Sequence, residues 1–222
     1  PAVFPSNSSS NNLNPSSDIT YNSTTDISYG DITLNTSATS ATFTGGGPFH
    51  IKTLKPNSPN TVVNLAAGSY YIDKLIMNGS ASKINITSGP VFLHIGNELK
   101  LASNDLSINE GGKVQDLIVY LHDSAKLTAN GSASKITAYI YGPKAGDITI
   151  GNNNIRLNGA VINGNGPITI NSSGFKVNFS DADKSALKNI GCDAPPIEQL
   201  DHFEFSYAKN AISCEPSNIV VK

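Results

Sequence analysis

The sequence is poor in several residue types on which other folds and functions depend. It has no tryptophan, one methionine and two cysteines in 222 residues, and charged residues make up only 14% of the chain. The formal net charge is −2, which argues against electrostatic binding of nucleic acid, since that requires a clustered basic face. No apolar run approaches the ~20 residues of a membrane-spanning helix, so we expect no membrane span in this chain.

The chain is instead rich in Asn, Ser, Thr, Gly and β-branched residues, a composition that favours short strands and many corners. The clearest pattern lies between residues 147 and 181. There Ile148–Ile150 recurs twenty residues later as Ile168–Ile170, and Ile155–Leu157 recurs as Phe175–Val177. Because a three-residue strand cannot bury its apolar face alone, this fixed period predicts a β-solenoid in which each coil covers the next.

The repeat can be followed back along the chain to Lys74, with three strands in each coil. First strands are predicted at Leu75–Met77, Leu99–Leu101, Leu127–Ala129, Ile148–Ile150 and Ile168–Ile170. Second strands are predicted at Ile84–Ile86, Leu106–Ile108, Ile136–Ala138, Ile155–Leu157 and Phe175–Val177. Third strands are predicted at Val91–Ile95, Leu117–Leu121, Tyr139–Tyr141 and Ala160–Ile162. The heptapeptide NGSASKI joins a first strand to a second strand twice, at Asn78–Ile84 and Asn130–Ile136.

These observations predict an all-β protein, a right-handed parallel β-helix of about seven irregular coils over residues 29–179. The handedness follows from the general preference of parallel crossovers. Since neighbouring coils lie about 4.8 Å apart, equivalent side chains should touch in columns. We expect a corner ladder of amides from Asn35, Asn78, Asn130 and Asn171. We also expect an exposed ion-pair ladder from Lys74, Glu98, Lys126 and Asp147.

The flanks of the repeat have a different character. Residues 1–28 read as a polar N-terminal arm laid along the body, and residues 52–60, with two prolines, read as a loop. Residues 180–190 have the capping pattern of one short helix, which we expect to cover the end of the solenoid. Residues 191–222 are expected to form a strand extension or to begin another domain. Cys192 and Cys214 leave two alternatives open, one disulfide in an oxidising compartment or two free thiols.

The C-terminal stretch HFEFSYAKNAISCEPSNIVVK resembles a motif of the MshQ family, which belongs to the mannose-sensitive haemagglutinin (MSHA) type IV pilus system of Gram-negative bacteria. The matching features include Cys214 followed by an acidic residue and proline. Val62–Tyr71, Asn158–Val161 and Ala2–Pro5 are similar to further segments of that family. The resemblance implies a secreted, surface-exposed protein that associates with pilus components, as an adhesin or a spacer. It supplies no catalytic residues.

The chain offers little sign of metal or acid–base chemistry. None of the four histidines, at positions 50, 94, 122 and 202, has metal-ligand spacing, and we expect no metal and no cofactor. A carbohydrate-cleaving β-helix would need carboxylates that converge on one face. The candidates Asp105, Asp116, Asp123 and Asp147 precede or follow different strands of the coil, so we expect no enzyme.

Exposed tyrosines on a polar rod could still stack on sugars. The candidate binding residues are Tyr120, Tyr139, Tyr141 and Asp123, in the irregular middle coils between residues 91 and 141. The leading hypothesis is a non-catalytic adhesin or spacer of an MSHA-like pilus at the bacterial surface, with pilus components or surface glycans as partners. The alternatives are a glycan-binding or glycan-cleaving β-helix and a self-assembling scaffold.

Overall fold

The computed structural model describes residues 4–178, which form an all-β solenoid of about seven coils. This range holds sixteen strands and a single-turn 3-10 helix at Val114–Asp116. The strands are β1 Ile19–Asn22, β2 Ile27–Leu34, β3 Ser40–Thr44, β4 Phe49–Pro56, β5 Val62–Leu65, β6 Gly68–Met77, β7 Lys83–Ile86, β8 Val91–Leu101, β9 Ser107–Ile108, β10 Leu117–Leu121, β11 Lys126–Ala129, β12 Lys135–Gly142, β13 Ile148–Gly151, β14 Arg156–Asn163, β15 Ile168–Asn171 and β16 Lys176–Asn178. The predicted solenoid is confirmed.

The strand pairs are all parallel and sort into three stacked sheets. Sheet 1 contains the second halves of β2, β4, β6 and β8, followed by β11, β13 and β15. Sheet 2 runs from β1 through β3, β5, β7 and β9 to the first halves of β12 and β14 and then β16. Sheet 3 contains the first halves of β2, β4, β6 and β8, then β10 and the second halves of β12 and β14.

The core is a set of inward-facing columns, one residue from each coil. In sheet 1, Leu75 pairs with Leu99, Leu99 with Leu127 and Leu127 with Ile148, and each of them is at most 1% exposed. Burial of one such side chain contributes about 1.5–3 kcal/mol. In the N-terminal coils the columns are aromatic, and Phe49 stacks on Tyr70 with ring centroids 5.3 Å apart. Each coil therefore supplies the apolar surface that its neighbour lacks.

Every turn from sheet 1 to sheet 2 has a residue in the left-handed conformation at an equivalent position. These residues are Ala38, Asn60, Ala81, Asp105, Ala133, Asn154 and Gly174, with φ between 55° and 73°. The N–H of each of the first six donates to the carbonyl oxygen just before the next one, as from Ala81 to Asn104 at 3.0 Å and from Ala133 to Asn153 at 2.9 Å. The bond between coils offsets the roughly 1–2 kcal/mol that a left-handed conformation costs an L-residue.

The repeated heptapeptide encodes this corner. Its alanine, at positions 81 and 133, is the left-handed residue, and the serine that follows, at positions 82 and 134, is fully buried. Ser134 Oγ donates to Gly131 O at 2.9 Å within the turn. The glycines at 79 and 131 lie where the backbone of the preceding coil passes closest, because an added Cβ would lie 1.9 Å from Ser58 O and 1.5 Å from Ser103 O.

The predicted asparagine ladder exists but has other members. Asn35 Nδ2 donates to Asn14 Oδ1 at 3.0 Å, Asn57 to Asn35 at 2.7 Å and Asn78 to Asn57 at 3.1 Å. Asn14 and Asn57 were not predicted, because their coils were not recognised in the sequence.

The C-terminal half does not continue this ladder. Ala102 stands between Asn78 and Asn130, and Gly151 stands between Asn130 and Asn171. Neither residue has an amide side chain, so Asn130 and Asn171 are not joined to the column as predicted.

The predicted charge column has the right register and lacks the expected contacts. Lys74 pairs with Glu98 and Glu98 with Lys126, and Asp147 follows at the next coil. Within residues 4–178 the ion pairs lie elsewhere, between Asp26 and His50 and between Glu110 and Lys135. Alternation of sign at an exposed edge therefore does not bring these side chains into ion-pair distance, in keeping with the small gain that an exposed pair offers.

Two sequence assignments near the N-terminus are wrong. The polar arm was expected to extend to residue 28, whereas β1 at Ile19–Asn22 already pairs with β3 and Leu13 bridges to Ile32. The expected loop at 52–60 begins within β4, whose Thr53–Pro56 segment belongs to sheet 1. Proline suggested a loop here, but its missing N–H is tolerated at the last residue of this strand.

The C-terminal end of the described range exposes what is core elsewhere. Ile168 and Ile170 pair with the buried Ile148 and Ile150, yet they are 44% and 49% exposed, and Val177 is 54% exposed.

Several predictions concern residues outside the described range and stay predictions. They are the capping helix at 180–190, the extension at 191–222 and the state of Cys192 and Cys214. The handedness of the solenoid also stays a prediction. In residues 4–178 we find no helix long and apolar enough to cross a membrane.

The close approach at Gly131 gives a test of the corner. We expect Gly131→Ala to lower the free energy of unfolding by on the order of 2–4 kcal/mol, because the new Cβ meets the Ser103 carbonyl, a backbone group that cannot swing aside. Gly111→Ala is the control. Gly111 has open space around it and a positive φ, 76°, which Gly131 lacks, so its loss is limited to the roughly 1–2 kcal/mol of conformational strain. Equal losses in urea denaturation would contradict the packing account.

Candidate functional site

A column of stacked rings runs along the outward face of sheet 3. His50 stacks on Tyr71 with ring centroids 4.9 Å apart, Tyr71 on His94 at 4.5 Å, and His94 on Tyr120 at 4.8 Å, all within 10° of parallel. Tyr141 closes the column edge-on to Tyr120 at 6.2 Å. The strand register produces the column, since it places these five residues on successive coils. We call this set the aromatic ladder.

A histidine pair lies beside the ladder. His94 Nδ1 and His122 Nε2 are 3.1 Å apart, so one ring nitrogen donates a hydrogen bond and the other accepts it. Burial, together with the neighbouring His122, lowers the pKa of His94 to about 4. Burial also lowers the pKa of His122, although the nearby Asp123 acts in the opposite direction. The pair is therefore neutral at pH 7, which suits a hydrogen bond between two imidazoles.

The segment 4–12 forms a strap across the outside of the coils. Phe4 packs edge-on against Tyr71 and His122, with ring centroids 6.2 and 5.2 Å away. Gly96 makes room for it, since a Cβ there would lie 2.7 Å from the Phe4 ring. Further along the strap, Asn7 Nδ2 donates to Tyr29 O at 2.8 Å. The polar arm thus lies along the body, as expected for its first residues.

The tyrosines predicted as a sugar platform do not form one. Tyr139 points away from the core, because its neighbours Ala138 and Ile140 are core residues, but it is only 2% exposed. The 3-10 helix at Val114–Asp116 packs against the strand that carries Tyr139. Tyr120 lies between His94 and Tyr141 within the ladder. Since stacked neighbours occupy the ring faces, the ladder presents mainly ring edges, whereas a sugar stacks on a ring face.

The remaining predicted residues are dispersed. Tyr141 is half-buried at the end of the ladder, and Asp123 is exposed at the corner beside His122. The structure therefore brings Tyr120 and Tyr141 together and leaves Asp123 and Tyr139 in separate surroundings. No three His, Cys, Asp or Glu side chains cluster as a metal site within residues 4–178.

A row of amide and hydroxyl side chains follows the outward face of sheet 2. Asn64 Nδ2 donates to Thr42 Oγ1 at 3.1 Å, and Asn85 Nδ2 donates to Asn64 Oδ1 at 3.2 Å. Three coils further on, Asn158 Nδ2 donates to Thr137 Oγ1 at 3.3 Å. We call it the Asn/Thr row.

An insertion turns the end of this row into a groove. Residues 109–116 leave sheet 2 after β9 and form a wall beside Thr137, Asn158 and Asn178. The groove has a volume of about 410 Å³, and its lining comprises Gly112, Lys113, Val114, Gln115, Thr137, Asn158 and Asn178. It combines amide, hydroxyl and amine groups on one surface, which suits a hydroxyl-rich ligand.

The sequence analysis missed both the row and the groove. It began the second strand of one coil at Leu106, whereas Ile108 pairs with Ile84 and Ile136. With that two-residue correction, Asn85, Asn109 and Thr137 fall at equivalent positions, each one residue after a core residue. An alignment based on the buried residues would therefore have revealed the row. The insertion could not be found in this way, because it does not repeat along the chain.

Comparison with protein-family models, curated proteins and solved structures finds no match for this chain. The resemblance to the MshQ family therefore stays a prediction from the sequence, and the site is interpreted from its own geometry.

The histidine pair predicts a pH dependence of stability. A histidine whose folded pKa is depressed favours the folded state above its unfolded pKa of about 6.5, and that contribution is lost as the pH falls toward the folded value. We therefore expect the urea midpoint of the protein to fall between pH 7 and pH 5. His94→Phe keeps a ring between Tyr71 and Tyr120 but cannot titrate, and it should flatten this fall. An unchanged slope in that variant would refute the assignment.

Proposed function

We propose that this chain is a non-catalytic bacterial surface protein of an MSHA-like type IV pilus, which acts as an adhesin or as a structural spacer. The observation that carries the proposal is the stack of coils with side-chain ladders on its outside and a groove on its flank. Coils that repeat the same corner and the same core columns form a stiff support. The groove beside the insertion at 109–116 supports a binding role for this stack of coils.

The pilus association and the location at the surface of a Gram-negative bacterium are supported by the C-terminal sequence. The Cys-Glu-Pro segment at 214–216 and the flanking alternating strands resemble the MshQ motif. That motif lies outside the described residues, so it contributes to the proposal through its sequence alone.

The chemistry of the groove supports binding better than cleavage. Glycoside hydrolysis uses two carboxyl groups that flank the bond to be broken, and the lining residues within the described range 4–178 carry none. Asp105 lies at the corner from sheet 1 to sheet 2, Asp116 precedes β10, and Asp147 precedes β13. These positions lie on different edges of the coil.

The proposal is tested in a Gram-negative strain that encodes the chain beside pilin genes. We expect immunogold labelling of the chain on unpermeabilised cells, and a several-fold loss of adhesion to a surface after its deletion. Complementation with the chain should restore adhesion. Complementation with the Lys52→Gln variant should restore it equally, because Lys52 is exposed and remote from the groove. Labelling only after permeabilisation, or full adhesion without the chain, would overturn the proposal.

A second candidate, a self-assembling scaffold, is favoured by the exposed core column at Ile168, Ile170 and Val177. An open solenoid end with unpaired strands can add a second copy. Under this alternative, negative-stain microscopy of the intact protein shows filaments, and Ile170→Lys abolishes them. Intact protein that stays free of filaments over a concentration series excludes it.

A further inference from the structure

We propose that the groove between residues 112–115 and the Asn/Thr row binds an acidic saccharide, with the sugar carboxylate on Lys113 and the sugar hydroxyls on the amides of the floor. The inference rests on the proposed adhesin function and names the class of ligand at its site.

The wall of the groove is a built structure. Asn109 is only 3% exposed, and its Nδ2 donates to Lys113 O at 2.9 Å and to Thr137 O at 3.0 Å. The Asn109 side chain therefore stabilises the fold of the insertion and also holds the insertion against the strand that forms the floor. Glu110 pairs with Lys135 of the same strand, and the hydrogen bond from Lys135 holds the pKa of Glu110 below its usual range. Such anchoring reduces the ordering cost of binding.

The floor offers polar groups at a regular spacing. Asn158 and Asn178 lie on successive coils next to the buried Thr137, about 4.8 Å apart, which is close to the length of one pyranose unit. Asn158 commits one amide hydrogen to Thr137 Oγ1, and its other amide hydrogen and its carbonyl oxygen remain for a ligand. Paired donors and acceptors at this spacing match the vicinal hydroxyl groups of a sugar chain.

The charge of the groove selects the class of sugar. Lys113 is the one ionisable residue among the described residues that line the groove, and neither ion pair found in residues 4–178 uses its amine. The nearby Lys135 is already neutralised by Glu110. A lysine amine beside amides, with no carboxylate among these described lining residues, favours an anion over a cation or a neutral ligand. The hydroxyl-binding floor makes that anion a uronic or sialic acid residue rather than a small inorganic ion.

The test uses the purified full chain and three carboxylated oligosaccharides, built from galacturonate, mannuronate or N-acetylneuraminate. Isothermal titration should detect binding of at least one, and the methyl ester of that oligosaccharide should bind at least tenfold more weakly because its charge is gone. Lys113→Gln should weaken binding of the acid form by a similar factor and leave the weak binding of the ester unchanged. Lys113→Arg should retain affinity, and Lys52→Gln is the control for a lysine elsewhere. Asn158→Ala should weaken acid and ester alike.

The inference would be overturned if none of the three acids bound, or if the acid and its ester bound equally well. Undiminished binding of the acid by a folded Lys113→Gln variant would also overturn it. Circular dichroism of each variant verifies the fold. These outcomes are independent of the surface labelling and adhesion of cells, so a failure of the acidic-sugar inference can be told from a failure of the proposed function.

Discussion

The corner from sheet 1 to sheet 2 is the constraint on which the rest of the structure depends. At this corner of each coil a residue adopts a left-handed conformation and, from Ala38 to Asn154, donates its N–H to the next coil at the same point. That bond fixes the register between coils, since a slip by one residue would move every side chain of a strand to the opposite face. The glycines at 79 and 131 permit the close approach that the bond requires.

Fixed register has a consequence on each side of the coil. Inward, it aligns aliphatic residues in columns, so that no coil depends on local strand propensity alone. Outward, it aligns whatever the sequence places there, and chemically similar residues become ladders. The His/Tyr column of sheet 3 and the Asn/Thr row of sheet 2 both arise in this way. The groove appears where the period is interrupted, because the insertion at 109–116 has no equivalent strand to pair with and folds over the row instead.

The features that repeat were accessible from the sequence. The twenty-residue spacing of Ile148 and Ile168 and the duplicated heptapeptide led to the right fold and, apart from the second strand predicted to begin at Leu106, to the right strands from Leu75 onward, because periodicity reports burial directly. Features outside the period were not accessible. Pro56 led to the prediction of a loop where β4 continues into sheet 1. The short β1 was not predicted, because polar residues surround it. The contact of Phe4 with His122 joins residues more than a hundred positions apart, and no local pattern encodes it. Tyr139 is buried although its neighbours Ala138 and Ile140 face the core, and the 3-10 helix that packs against its strand belongs to the insertion.

Removal of one complete coil tests most directly whether a common corner organises the chain. Asn57 and Asn78 occupy equivalent positions on neighbouring coils, so deletion of residues 57–77 joins Pro56 to Asn78 without a change of phase. We expect this variant to fold and unfold cooperatively, and its solved structure to show Asn78 hydrogen-bonded to Asn35 and His50 stacked on His94. Loss of the β signal in circular dichroism, or a structure in which these residues are not neighbours, would contradict the account.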